Sequence, residues 1–215
     1  MSTAELFDAL YEDYDKWYER NRVIAELEVR LVEEIIREAP RPFIEIGVGT
    51  GFFASRIKAE IGLDPSINML RVARERDVEN LILGVGEETP IRDSAVGSVV
   101  LIVTLCFVDN PDKVLSEAYR ILREGGSVIT CIVPRDSKWG AYYEELGRRG
   151  HRFYSKARFY TREEVVRMLE KTGFVVVESK GVLSFSPREP PVFEKPSDDI
   201  RDKGFVCMRA VKREL

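Results

Sequence analysis

Phe43-Ile44-Glu45-Ile46-Gly47-Val48-Gly49-Thr50-Gly51 is the stretch that decides the fold of this chain. Its first half is apolar around one acid, which predicts a short buried strand. Three glycines at alternate positions follow, and they suit a tight turn that a ligand can approach closely, because glycine weakens a strand. Residues 52–57 then begin a helix. Strand, glycine turn and helix in this order are typical of the first unit of a nucleotide-binding α/β domain.

The spacing of the glycines separates two classes of ligand. In the dinucleotide fingerprint Gly-x-Gly-x-x-Gly, a pyrophosphate lies on the helix N-terminus. Gly47 and Gly49 fit that pattern, but Phe52 stands where the third glycine is needed. The carboxylate of Glu45 also suits a cationic ligand group better than a pyrophosphate. These two residues argue against an NAD-dependent oxidoreductase, which stays as the less favoured alternative.

Length and charge predict a single domain that does not bind nucleic acid. The 215 residues suit one α/β domain, with an N-terminal helical lid at 1–39 and a substrate-side insertion at 134–160. A net charge of −4 argues against a protein that tracks phosphates. With no apolar run of about 18 residues and no signal peptide, the expected location is the cytoplasm. The absence of glutamine and the charged share of 33% predict a thermophilic source.

The cysteines and the histidine content predict neither disulfides nor a metal site. Cys106, Cys131 and Cys207 are odd in number and lie in apolar runs, so we expect reduced core residues. The chain has no Cys-x-x-Cys pair and one histidine, so no metal is expected.

The N-terminal segment is rich in aromatic residues at helical spacing. Apolar and aromatic side chains recur every three or four positions over 3–19, which predicts an amphipathic helix. A second helix is expected over 22–38, ended by Pro40 and Pro42. Two interpretations of the first helix remain open: it packs on the core, or it is a lid whose rings close over a ligand.

The rest of the chain alternates strands and helices. Gly125-Gly126 is expected to end one helix, and a capping box from Thr161 to Glu164 to begin another. Four prolines and many charges over 186–203 predict an exposed loop. Strands are expected at 59–64, 80–84, 98–105, 127–133, 174–179 and 205–211, and helices at 52–58, 66–76, 112–123, 140–149 and 161–171.

Asp64 ends the second predicted strand, about 17 residues beyond Gly47. Nucleotide-binding α/β domains place their ribose-binding acid at a similar distance. Asp64-Pro65-Ser66 also has the form of a helix cap, with proline near the first turn. A cap and a ribose ligand are compatible roles, because a carboxylate has two oxygens.

Taken together, these motifs resemble the class I S-adenosylmethionine (SAM)-dependent methyltransferases, in the small-molecule group that includes the ubiquinone/menaquinone methyltransferases. The resemblance covers about residues 40–180 and the last strand. It implies an α/β fold with a Rossmann-like, doubly wound, seven-stranded sheet whose last strand is antiparallel. The segments that carry it are 45–51, 62–66, 84–90 and 118–126.

The resemblance also implies a cofactor site. The acid and glycines of the turn would face the methionine part of SAM, with Glu45 opposite its ammonium, and Asp64 would bind the ribose hydroxyls. Gly86 and Glu87 would flank the adenine, and two aromatic residues of the N-terminal helix would close over the cofactor. The full set of expected cofactor-binding residues is Glu45, Gly47, Gly49, Gly51, Asp64, Ser66, Met69, Gly86, Glu87, Thr104, Leu105, Tyr14 and Trp17.

Some positions depart from the family pattern. The fourth strand is often preceded by Phe-Asp, where this chain has Gly97-Ser98, and Gly86 stands where relatives usually have alanine or aspartate. No Asn-Pro-Pro-Tyr or Asp-Pro-Pro-Tyr motif, which serves amino methylation of adenine or glutamine, follows the fourth strand.

The implied reaction moves a methyl group from SAM to a small-molecule acceptor by direct in-line displacement, releasing S-adenosylhomocysteine. Positioning and exclusion of water suffice for it, and a base is needed only if the acceptor must lose a proton. His151 is a candidate base, although a plain surface histidine is the favoured interpretation, and Cys106 is a weaker candidate for a covalent role. A non-catalytic SAM-binding regulator is the alternative function, and either a monomer or a homodimer is compatible with the sequence.

Overall fold

The computed structural model describes residues 1–213, in which seven strands form one sheet flanked by helices. The strands are β1 (Phe43–Ile46), β2 (Ile61–Asp64), β3 (Asn80–Leu83), β4 (Val96–Ile102), β5 (Leu122–Ile132), β6 (Phe174–Val182) and β7 (Phe205–Lys212). The helices are α1 (Thr3–Ala9), α2 (Tyr11–Arg20), α3 (Arg22–Ile35), α4 (Phe52–Ile57), α5 (Ile67–Glu75), α6 (Pro111–Ile121), α7 (Lys138–Arg148) and α8 (Arg162–Thr172). No helix among the described residues is long and apolar enough to cross a membrane.

The strand order is β3-β2-β1-β4-β5-β7-β6. β1 to β5 run parallel, and β7 is antiparallel to both of its neighbours. Every residue of β1 and β4 is buried, as expected for central parallel strands covered on both faces. The predicted seven-stranded α/β sheet with an antiparallel last strand is confirmed.

Two apolar clusters form the core, and alternate residues of the central strands supply them. Val100 and Ile102 of β4 join one cluster, which includes the buried faces of α3, α4 and α7. Val99 and Leu101 join the other, which includes α6 and α8. Because successive strand residues point to opposite faces, the helices cover both sides of the sheet.

The chain before β1 passes directly against the start of β4. A Cβ atom on Gly97 would lie 2.4 Å from the carbonyl oxygens of Pro40 and Arg41, so a side chain has no room there. The Ser98 hydroxyl donates to the Pro40 carbonyl at 2.7 Å. Close backbone approach therefore explains the glycine at position 97, and Gly97-Ser98 lie within β4 and not before it, as the sequence had suggested.

Two local predictions were wrong. Residues 3–19 form two helices, because the chain changes direction at Leu10, whose φ of −119° and ψ of 23° lie outside the helical region. The helix α6 ends at Ile121, and Gly125-Gly126 lie inside β5. Leu122 is fully buried and pairs with Val96 of β4, so β5 begins before the two glycines.

The prediction of three reduced cysteines is also corrected. Cys131 of β5 and Cys207 of β7 form a disulfide, whereas Cys106 is free. The antiparallel register places the two bonded residues directly opposite each other. They are 76 residues apart in sequence, so only the strand pairing brings them together.

The half-buried carboxylate of Asp8 joins the N-terminal helix α1 to α5. Asp8 accepts hydrogen bonds from the Ser66 hydroxyl at 2.7 Å, from the Asn68 backbone N–H at 3.0 Å and from the Asn68 amide at 3.0 Å. These bonds hold the pKa of Asp8 below its ordinary value. They secure α1 beside the end of β2.

We predict that Asp8→Ala will loosen α1 without unfolding the domain. Charge-assisted hydrogen bonds contribute roughly 1.5–3 kcal/mol each, so amide hydrogen exchange in residues 3–9 should accelerate at least about tenfold. Glu12→Ala is the matched control, because Glu12 is exposed and bonds to Tyr11 and Lys16 of its own helix α2. Equal exchange in the two variants would contradict this account of how α1 is held.

Candidate active site

The turn after β1 is packed so tightly that three of its positions require glycine. Gly47, Gly49 and Gly51 have φ values of 75°, 52° and 75°, in the left-handed region that favours glycine. A Cβ atom on Gly47 would lie 2.7 Å from Thr104 Cγ2, and one on Gly51 would lie 2.9 Å from the Cα atom of Ala73. The turn therefore exposes backbone at the carboxyl end of the sheet, where parallel α/β domains bind their ligands.

Asp64 connects this turn to the end of β2. One of its carboxylate oxygens accepts the Gly49 N–H at 2.8 Å, and the other accepts the Ser66 N–H at 2.9 Å. The Ser66 hydroxyl, not Asp64, caps α5 by accepting the Met69 N–H at 3.1 Å. Burial raises the pKa of Asp64 to about 6. Its carboxylate thus holds the turn and also lines the cavity beside it.

Glu45 on β1 is a buried acid with an unsatisfied oxygen. Its side chain is 2% exposed, and its Oε2 has no hydrogen-bond partner among the described residues. Burial, and secondarily the negative charge of Asp64, raise the pKa of Glu45 well above its ordinary value. A buried carboxylate without a partner is costly, and a cationic group of a ligand would lower that cost.

A cavity of about 270 Å³ lies at the carboxyl end of β1, β2 and β4. Many of the predicted cofactor-binding residues line it: Tyr14, Gly47, Gly49, Asp64, Met69, Gly86, Glu87 and Thr104. Others are buried and do not line it: Glu45, Gly51, Ser66 and Leu105. A Cβ atom on Gly86 would lie 2.8 Å from Ile46 Cγ2, so packing under the cavity explains the glycine at that position.

The sequence did not identify several of the residues that line this cavity. Phe7 of α1 and Phe107 beyond β4 both line the cavity, and their rings meet edge to face at 4.9 Å. Val103, directly after β4, has a φ of 51°, which is rare for a β-branched residue. Such strained backbone is concentrated at functional sites. The aromatic spacing of residues 3–19 was the available signal for Phe7, whereas no sequence signal marked Val103.

A second cavity of about 400 Å³ adjoins the first. Its walls come from α2, α3 and the segment after β5, and its surface is mostly aromatic. Both cavities are lined by Phe7, Tyr14, Ile102, Val103 and Phe107. The remaining residues of the second are Asp13, Trp17, Tyr18, Arg20, Glu28, Phe53, Val133, Tyr143, His151, Arg152, Phe153, Tyr154 and Phe159.

Two sequence-predicted residues, Trp17 and His151, lie on the second cavity and not on the first. The His151 ring is exposed and stacks on Tyr154 with a centroid distance of 4.4 Å. Burial and the neighbouring Arg152 lower the pKa of His151. Its imidazole is therefore largely neutral near pH 7 and lies at the edge of the second cavity.

Glu28 on α3 is a further acid of the second cavity that sequence reasoning missed. It is 6% exposed, and burial alone raises its pKa to about 8, since no hydrogen bond or nearby cation offsets the burial. The helical period contains the signal: Ala25, Leu31 and Val32, at three or four residues from Glu28, are all buried. Hydrophobic packing does not explain an acid on the apolar face of a helix.

We predict that Glu28→Gln will change how stability depends on pH. The folded state keeps the Glu28 proton up to about pH 8, whereas the unfolded chain releases it near the ordinary value of 4.5. Wild-type stability conferred by this proton is therefore complete below pH 4.5 and is lost as pH rises toward 8. Relative to wild type, the variant should gain up to about 4 kcal/mol of unfolding free energy between pH 4.5 and 8.

Denaturant unfolding of the ligand-free protein at several pH values measures this difference. Glu33→Gln, an exposed acid on the same helix, is the matched control and should follow wild type at every pH. A pH-independent difference between Glu28→Gln and wild type would mean that Glu28 ionises normally in the folded protein.

The comparisons with known proteins identify the family. A family model described as a methyltransferase domain matches residues 44–130. An uncharacterized protein from Methanocaldococcus jannaschii is 38% identical over 208 residues, which make up 96% of this chain and 98% of that protein. An uncharacterized methyltransferase from Mycobacterium tuberculosis is 30% identical over 135 residues, which cover 60% of this chain and 54% of that protein.

A solved structure from Thermotoga maritima extends the likeness to the whole fold. It is described as a SAM-dependent methyltransferase and possible histamine N-methyltransferase. It superposes with a TM-score of 0.92 at 34% identity and covers 98% of this chain and 100% of its own. Together with the glycine turn and the two acids beside it, these findings exclude the oxidoreductase alternative. This chain belongs to the SAM-dependent methyltransferases, and SAM is its methyl donor.

Proposed function

We propose that this enzyme transfers the methyl group of SAM to a small-molecule acceptor and releases S-adenosylhomocysteine. The observation that carries the proposal is the shared wall of the two cavities, which places a second binding space directly beside the one at the glycine turn. A space of about 400 Å³ is of the size that small-molecule ligands occupy. The Thermotoga relative, a possible histamine N-methyltransferase, supports an acceptor of that size class.

In this proposal the first cavity holds the cofactor. Asp64 accepts hydrogen bonds from the ribose hydroxyls, and Glu45 faces the ammonium of the methionine moiety. The backbone at Gly47 and Gly49 lies against that moiety, with Thr104 opposite. The other predicted cofactor-binding residues either lie at the adenosine end of SAM or support the residues that line the cavity: Gly51, Ser66, Met69, Gly86, Glu87 and Leu105.

The N-terminal helices complete the site in this proposal. Tyr14 lines both cavities, and Trp17 lines the second, so α2 covers the region where donor and acceptor meet. SAM supplies an activated methyl group on a sulfonium, and the protein's part is to align the acceptor and exclude water. The aromatic rings of α1 and α2 provide that exclusion.

We also propose a thermophilic source and a cytoplasmic location for this protein. Exposed charges form small networks, such as Arg120 with Asp93 and Glu117, which suits a thermophilic protein. A thermophilic source also reconciles the internal disulfide with a cytoplasmic location, because intracellular proteins of hyperthermophiles are rich in disulfides. A melting temperature within the ordinary mesophile range of about 45–65 °C would count against this proposal.

We predict that Asp64→Ala will weaken SAM binding by about a hundredfold or more. Two charge-assisted hydrogen bonds to the ribose, at roughly 1.5–3 kcal/mol each, account for a loss of this size. Calorimetric titration with SAM and with S-adenosylhomocysteine measures it. Glu79→Ala, an exposed acid outside both cavities, should bind like wild type. Unchanged affinity in Asp64→Ala would remove Asp64 from the cofactor site.

The acceptor is tested separately, by release of S-adenosylhomocysteine from SAM in the presence of small molecules. Turnover with at least one small molecule is the expected result. Tight SAM binding with no turnover on small molecules, but methylation of a protein or nucleic acid, would overturn the proposed acceptor class.

A further inference from the structure

The second cavity contains a buried carboxyl group, that of Glu28, which has no hydrogen-bond or ion-pair partner in the described chain. Glu28 projects from α3 into it, while the other buried residues of that helix are apolar: Ala25, Leu27, Val29, Leu31, Val32 and Ile35. Resting on the function proposed above, we infer that the acceptor carries a protonated amine and that Glu28 is the counter-ion that binds it.

Packing does not account for Glu28. Removing a carboxylate from water without a partner is unfavourable, and an apolar residue of similar size would fill the same space at no such cost. No hydrogen bond or ion pair from residues 1–213 offsets the burial of the Glu28 carboxylate. The Glu28 carboxyl group thus has no protein partner and faces the cavity, and the ammonium of a ligand has the charge and the donors to pair with it there.

The rings around Glu28 suit the same ligand. Tyr143 and Tyr154 stack with a centroid distance of 4.3 Å, and the Tyr14 and Tyr18 hydroxyls lie 2.9 Å apart. Aromatic faces attract organic cations and also pack against a flat apolar body. A cavity with one buried acid and many aromatic side chains is thus complementary to a small aromatic or apolar amine.

The basic residues of the cavity do not reverse this preference. Arginines and one histidine line part of this cavity, and such residues suit an anionic ligand. Arg152 is paired with Asp13 at 2.7 Å, and Arg20 is exposed. Water screens these exposed cations, whereas Glu28 is buried. An ammonium in the interior of the cavity can pair with the Glu28 carboxyl group by favouring its ionised form, and an anion cannot.

The inference is tested by binding of matched probes to the enzyme saturated with S-adenosylhomocysteine. The amine probes are 2-phenylethylamine and tryptamine, and the neutral probes are the alcohols of the same shape, 2-phenylethanol and tryptophol. In wild type, at least one amine should bind about tenfold or more tightly than its alcohol, because a charge-assisted hydrogen bond contributes roughly 1.5–3 kcal/mol. Glu28→Gln should abolish that preference.

Two controls separate the inference from the function on which it rests. Glu33→Gln, exposed on the same helix, should keep the amine preference. Affinity for S-adenosylhomocysteine should be the same in all three proteins, which also shows that Glu28→Gln is folded. Alcohols that bind as well as the amines, no binding of either amine, or an amine preference that survives in Glu28→Gln would each overturn the inference and leave the proposed function intact. Failure of wild type to bind S-adenosylhomocysteine would overturn both.

Discussion

The hydrogen bond from the Gly49 N–H to Asp64 is the interaction on which the rest of the site depends. It joins the turn after β1 to the end of β2, and the second oxygen of Asp64 accepts the Ser66 N–H at the start of α5. One carboxylate therefore sets the spacing between two βα units. The turn can accept this arrangement because three glycines with positive φ leave space for Thr104 and α5 to approach the backbone.

Buried carboxyl groups are the second constraint on this molecule. Glu28, Glu45 and Asp64 are all less than a tenth exposed, and burial raises the pKa of each. Burial of an ionisable group with few partners is unfavourable, which makes such groups candidates for ligand contact. In the proposed function, Asp64 and Glu45 meet the SAM donor. Glu28 lies beyond that site, in the space beside it, and points to the charge of the acceptor.

The N-terminal helices make the two cavities parts of one site. Phe7 and Tyr14 line both of them, and Asp8 secures α1 to the same helix, α5, that Ser66 caps. The segment after β5 closes the far side with Tyr143, Phe153 and Tyr154. The turns after the strands thus form much of the first cavity, and the N-terminal helices and the segment after β5 form much of the second.

By itself the sequence determined the alternation of strands and helices, the glycine turn and the acid that ends the second strand, because each depends on residues close together in the chain. The seven-stranded sheet was predicted from the resemblance to a family. Only the tertiary structure decided that Cys131 faces Cys207, that Gly125-Gly126 enter a strand, and that Trp17 lies in the second cavity. These outcomes depend on strand register and helix rotation, which are set by packing between distant segments. For Glu28 both sources were needed: its place on an apolar helix face is visible in the sequence, but part of the cavity that it faces is formed by residues more than a hundred positions away.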